Sequence, residues 1–143
     1  MSLADSVWAS TLEQFTDRVA SPSPTPGGGA VAAVTLAFAA SLAMMCLEIS
    51  KKSQDESHIQ APLHRAEEAC RIARKCADED VLAFDAYMAA SHLPKITAAE
   101  RAIRDSSRVT ALLKAIEAPL RGAHAAIALA AAAQDVRAGA LAI

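Results

Sequence analysis

Aromatic side chains are scarce in this chain: one Trp, one Tyr and three Phe. Aromatic and β-branched residues are what a sheet packs with, so a sheet has little to build on, and no strand-like run stands out in the sequence. Cysteine is almost as rare. Cys46, Cys70 and Cys76 are odd in number and form no Cys-x-x-Cys pair, which argues against a disulfide framework and reads as reduced, structural thiols. His58, His64, His92 and His124 are scattered without ligand spacing, so no metal site is expected. A formal net charge of −2 leaves no basic field for nucleic acid or an anionic membrane. The N-terminal stretch carries Asp5, Glu13 and Asp17 and no basic segment of the kind that opens a secretory signal. A cytoplasmic location follows as an expectation.

What is present is alanine and other aliphatic residues. Hydrophobic residues make up 53% of 143 positions, enough for one domain over residues 1–143 with its own core. Alanine is the best helix former. The fold class expected is all-α, a bundle of four to five long helices.

Glycine and proline are few, five and six in all, but three of each crowd into Ser21-Pro22-Ser23-Pro24-Thr25-Pro26-Gly27-Gly28-Gly29. Alternate prolines force extended backbone, and the glycines then release it. Before this segment, Ser10 and Glu13 have the spacing of a capping box and predict a short helix to about Val19. After it, Ala30 to Ile49 is nearly all apolar. Its length suits a membrane span, but seven of its twenty residues are Ala, and Thr35, Ser41 and Glu48 dilute it further. The reading preferred is a helix buried on most sides, with Gly29, Ala33, Ala37 and Ala40 forming a face of small side chains. So much apolar surface in so small a chain points to a homo-oligomer, most simply a dimer.

A polar loop, Lys51 to Ser57, leads to a helix expected over Pro62 to Ser91, with Leu63, Ala66, Cys70, Ala73, Cys76 or Ala77, Phe84, Tyr87 and Met88 on its apolar stripe. Leu93-Pro94 ends it. Thr97 and Glu100 form a second capping-box pattern, opening a helix expected to turn Ile103, Val109, Leu112, Leu113 and Ile116 inward. Pro119 is expected to break or kink that helix, leaving a last one over Leu120 to Ala133.

Few residues stand ready for chemistry. Asp80 lies four residues after Cys76 and four before Phe84, on the apolar stripe, whereas Asp78, Glu79 and Asp85 fall nearer solvent. A carboxylate so placed needs a partner, a ligand or a raised pKa; a structural cap and a functional acid fit equally well. The glycine run before a helix offers free N–H groups without Cβ obstruction, fit for an anion or a flat heterocycle, or simply a tight turn. It is neither a Walker loop nor a dinucleotide fingerprint. Lys51 and Lys52 follow the apolar helix, either as favourable charge at its negative end or as a dock for carboxylates. Arg101, Arg104 and Arg108 share a face and read as solvated, with Glu100 and Asp105 spaced to pair with them.

Taken in order, these segments resemble one family. Leu12-Glu13-Gln14-Phe15 followed by Ser23-Pro24-Thr25-Pro26-Gly27-Gly28-Gly29-Ala30 resembles the start of the cyclodeaminase domain of formiminotransferase-cyclodeaminase and of the similar methenyltetrahydrofolate cyclohydrolases. Ala43-Met44-Met45, the Lys51-Lys52 pair, Asp80-Val81-Leu82-Ala83-Phe84-Asp85, Leu93-Pro94-Lys95 and Ala118-Pro119-Leu120 continue the match; Ser50 stands where the family usually has Gly. The resemblance implies closure of 5-formiminotetrahydrofolate to 5,10-methenyltetrahydrofolate with loss of ammonia, hydrolysis of the methenyl bridge to 10-formyltetrahydrofolate, or both. No cofactor or metal is implied, because no electrons move. It implies Asp80 as the catalytic carboxylate, Pro26, Gly27, Gly28, Gly29 and Phe84 around the pterin, and Lys51 and Lys52 on the anionic glutamate tail. The family's domain continues beyond the position matching Ile143, so the chain reads as C-terminally short. A non-catalytic folate-binding domain or a helical interaction domain are the alternatives.

Overall fold

A computed structural model describes residues 6–51 and 56–141. Among the described residues a 3-10 turn, Val7–Ala9, precedes four α-helices: α1 (Leu12–Ala20), α2 (Gly28–Ser50), α3 (Glu56–Ser91) and α4 (Ala98–Leu141). No strand occurs among the described residues, and the all-α expectation holds.

The helix ends follow capping chemistry, with one shift of register. The first capping box is Thr11 with Gln14, not Ser10 with Glu13: Gln14 N–H donates to Thr11 Oγ1 at 3.1 Å, and Thr11 N–H donates to Gln14 Oε1 at 3.0 Å. Both pairs have the right spacing, and the one used is the one whose first residue is extended just before the helix. The Thr97 and Glu100 box forms as expected, with N–H to oxygen distances of 3.2 and 2.9 Å. α3 starts at Glu56, a turn and more before Pro62, which sits buried inside it.

The core is built from small residues at the crossings and a few large ones around them. α2 buries Ala30, Ala33, Val34, Ala37, Ala40 and Leu47. These meet Ala66, Ala69, Cys70, Ala73, Cys76 and Ala77 of α3, so the small-residue face of α2 serves the contact with α3 in the same chain. Ile59, Leu63 and Leu129 supply bulk, and Ile59 is wholly buried. A buried side chain of this size contributes about 1.5–3 kcal/mol.

α2 is long and apolar enough to cross a membrane by length and composition, and 39% of that stretch is buried against the other helices. Burial on most sides is therefore not what one chain provides. Phe38, Leu42, Met45 and Ile49 stay exposed, spaced by four, three and four residues like a coiled-coil seam.

α4 overturns two expectations. It passes through Pro119 without ending. Proline inside a helix costs about 3 kcal/mol, but Pro119 is exposed while buried residues continue on both sides of it, so packing on α3 offsets the lost hydrogen bond. Its orientation also differs. Ile103, Val109, Leu112, Leu113 and Ile116 are 49–62% exposed, and the buried positions are Ala111, Ala118, Ala125, Leu129 and Ala132. The four alanines recur every seventh residue and bring α4 close to α3; the larger aliphatic side chains cannot fit there and face away.

Candidate active site

α2 begins without a side-chain cap of its own. Its N-cap residue is Gly27, which has nothing to offer the orphan N–H groups of the first turn. The cap comes from another helix: the Asp80 carboxylate of α3 accepts the N–H of Ala30. The approach is so close that a Cβ on Gly29 would lie 2.5 Å from Asp80 Cγ and 2.7 Å from Oδ2. A side chain at position 29 would therefore have to push the Asp80 carboxylate aside. Nothing lies within 4 Å of a Cβ placed on Gly28, and one on Gly27 would meet only the Pro24 carbonyl at 3.4 Å.

The preceding loop is tied to the same stretch of α3. Thr25 Oγ1 donates to Asp85 Oδ1 at 3.0 Å, the Thr25–Pro26 peptide is cis, and Pro26 is buried beneath the turn. The proline-glycine run and the Asp80 to Asp85 segment, some fifty residues apart in sequence, thus form one corner of the molecule.

The neighbouring carboxylates are otherwise engaged. Asp78 accepts the Val7 N–H at 2.8 Å and the Ser6 hydroxyl, strapping the N-terminal turn to α3. Glu79 pairs with Arg121 of α4 and with Lys75. Asp80 is partly buried, and desolvation raises its pKa above the ordinary carboxylate value, opposed by the Ala30 N–H. Phe84 lies one turn further along α3, 37% exposed, with its ring centroid 6.0 Å from that of Tyr87. A cavity of about 180 Å³ opens beside Gly29, bordered by Ala32, Leu36, Pro119 and Gly122. A groove of about 320 Å³ between α3 and α4 runs past Glu79, Ala83, Ala86 and Lys114.

The chain belongs to the formiminotransferase-cyclodeaminase family. The family pattern matches residues 11–140, and so spans both segments that meet at Asp80. A methenyltetrahydrofolate cyclohydrolase from Methylorubrum extorquens is 41% identical over 114 residues, covering 77% of this chain and 55% of the relative. The formimidoyltransferase-cyclodeaminase of Sus scrofa is 32% identical over 129 residues, 87% of this chain and 24% of the relative. That of Rattus norvegicus is 31% identical over 115 residues. The chain thus spans about half the length of the first and a quarter of the second. Kinship with folate one-carbon cyclohydrolases and cyclodeaminases is established by these matches.

Not every residue expected at a formiminotransferase-cyclodeaminase site is gathered here. Pro26, Gly27, Gly28, Gly29, Asp80 and Phe84 fall in one region. Lys51 lies at the opposite end of α2, about 33 Å away at 1.5 Å per residue, where its Nζ pairs with Glu48 at 2.7 Å. Lys52 lies outside the described residues. The family resemblance places Asp80 and the glycines at one site, but their direct contact was legible only in a helix that starts on glycine and so must borrow its cap.

Proposed function

We propose that this chain carries the folate-handling part of a methenyltetrahydrofolate cyclohydrolase, with Asp80 as its acid and base. The supporting observation is the Asp80 carboxylate at the glycine start of α2, partly buried and with a raised pKa. The greater identity to a cyclohydrolase than to the formimidoyltransferase-cyclodeaminases favours hydrolysis over ring closure.

In hydrolysis, water adds to the carbon bridging N5 and N10, and Asp80 takes one water proton as the new C–O bond forms. The tetrahedral carbon then collapses: the C–N5 bond breaks, N5 receives the proton held by Asp80, and the second water proton passes to solvent. The formyl group remains on N10. The same carboxylate suits ring closure, where it would remove the N10 proton and return it to the departing amine. The methenyl bridge is cationic, and the positive end of α2 beside it would be unfavourable without the charge of Asp80 between them. Gly27, Gly28 and Gly29 form the open wall against the pterin, Pro26 supports that turn from beneath, and Phe84 flanks the ring. Lys51, paired at the far end of α2, reaches this site only if a second copy brings it there.

The test is Asp80→Asn. The amide keeps the shape and can still accept from Ala30, so the fold is retained. Loss of methenyl absorbance should slow by about 10²–10⁴, the usual contribution of a positioned acid or base. Turnover close to that of the unaltered protein would remove Asp80 from the chemistry.

A further inference from the structure

Two turns beyond Asp80, the same face of α3 carries a second polar cluster. Seven residues separate Asp80 from Tyr87, within about 20° of two full turns and about 10 Å along the helix. Arg108 of α4 donates from NH2 to the Tyr87 hydroxyl at 3.2 Å, and its guanidinium carbon stands 5.7 Å from the Tyr87 ring centre. Arg108 Nε is buried and has no partner among the described residues. Arg104 lies one turn earlier on α4 and donates from Nε to the Ser91 carbonyl at 3.0 Å. A single carboxylate, Asp105, serves both guanidinium groups, and only at 3.7 and 3.9 Å. Glu100 is occupied by the N–H groups of Ile96 and Thr97. In a chain of net charge −2, this corner carries an excess of positive charge with unfilled donor capacity.

We propose that Tyr87, Arg108 and Arg104 form the subsite for the carboxylate-bearing tail of the ligand whose reacting end lies at Asp80. The inference rests on the folate reading above. A planar guanidinium, here on a side chain 36% exposed, recognises carboxylate through paired hydrogen bonds. The Phe84 and Tyr87 rings, in contact at 6.0 Å, lie between Asp80 and Arg108 and suit an aryl amide linking a pterin to a glutamate. The whole path lies on one protomer, which the Lys51 position does not allow. Arg108 also holds the Tyr87 hydroxyl below its usual pKa, which agrees with an electropositive corner.

The experiment compares two substrates on the full chain: 5,10-methenyltetrahydrofolate with its glutamate, and the tetrahydropteroate analogue lacking it. The unaltered protein should show the lower KM for the glutamate-bearing compound. Arg108→Met should shrink that preference by about tenfold, the loss of one charge-assisted hydrogen bond at a half-exposed position, and Arg108→Lys should restore part of it. A residue that only held α3 to α4 would alter both substrates alike. Arg104→Met is the second variant should Arg108→Met fail to fold. Turnover of both compounds without preference overturns the subsite and leaves the folate reading standing. An unchanged preference in both arginine variants, or its loss in Lys51→Ala instead, also overturns it. Turnover and binding of neither compound overturn the folate reading and the subsite together.

Discussion

Adjacent glycines at the start of α2 should respond to the same substitution in opposite ways. At Gly28 an added Cβ meets nothing within 4 Å, and alanine in place of glycine in a helix gains about 0.5–1 kcal/mol from the unfolded chain and from propensity. Gly28→Ala should therefore raise Tm by about 2–4 °C, taking about 4 °C per kcal/mol for a chain of this size. Gly29→Ala gains the same propensity but displaces the Asp80 carboxylate, which a Cβ would approach to 2.5 Å at Cγ. The side chain can swing aside, so steric overlap is relieved; the bond to Ala30 N–H is not kept. Ala30 is fully buried, and an unsatisfied buried donor whose partner was charged costs about 1.5–3 kcal/mol. The net is a loss of about 1–2 kcal/mol, or about 4–8 °C. Thermal unfolding followed by far-ultraviolet dichroism reads both. Shifts of the same sign and similar size would refute the account of Asp80 as the cap of α2. Activity adds a second axis: if the pterin lies against the open wall at Gly28, Gly28→Ala raises KM while it raises Tm.

Two further outcomes follow. Asp80 has a raised folded pKa from desolvation, so its stabilising contribution is fully present below the unfolded value of 3.8 and is lost as pH rises through the folded pKa. Urea unfolding of the native protein and Asp80→Asn should therefore show native gaining on the variant as pH falls from neutral to about 4; a gap independent of pH contradicts it, and as a base Asp80 should lose activity as pH falls, with the loss setting in above the ordinary carboxylate range. We also expect a dimer or larger assembly through the exposed seam of Phe38, Leu42, Met45 and Ile49; sedimentation as a monomer at micromolar concentration contradicts it, and Leu42→Glu should dissociate the assembly.

The helices were readable from periodicity and capping pairs because those signals are local. The orientation of α4 was not, because its sequence carries two apolar stripes and size alone pointed to the wrong one. Large aliphatic residues such as Ile103 and Leu113 were expected inside, yet the narrow gap to α3 takes Ala111, Ala118, Ala125 and Ala132 near their crossings, with Leu129 beside them. Their seven-residue repeat was the legible clue. Pro119 misled for a related reason: a local penalty was outweighed by packing that local sequence does not display. At the site, Asp80 and the glycines were each visible as unusual, while their meeting depended on tertiary approach. Arg104 and Arg108 read as a solvated face because their partners, Ser91 and Tyr87, lie on another helix.

A surface of alanines has hardly any teeth. Where α4 meets α3, buried alanines recur at every seventh residue, and a shift by two turns would set alanine again where alanine had been, at little packing cost. Axial position must therefore be set by latches outside the stripe. Arg104 on the Ser91 carbonyl and Arg121 on Glu79 supply two, about 25 Å apart along α4. Each latch alone leaves a rod free to pivot; both together fix where every residue of α4 faces α3, including those nearest Asp80.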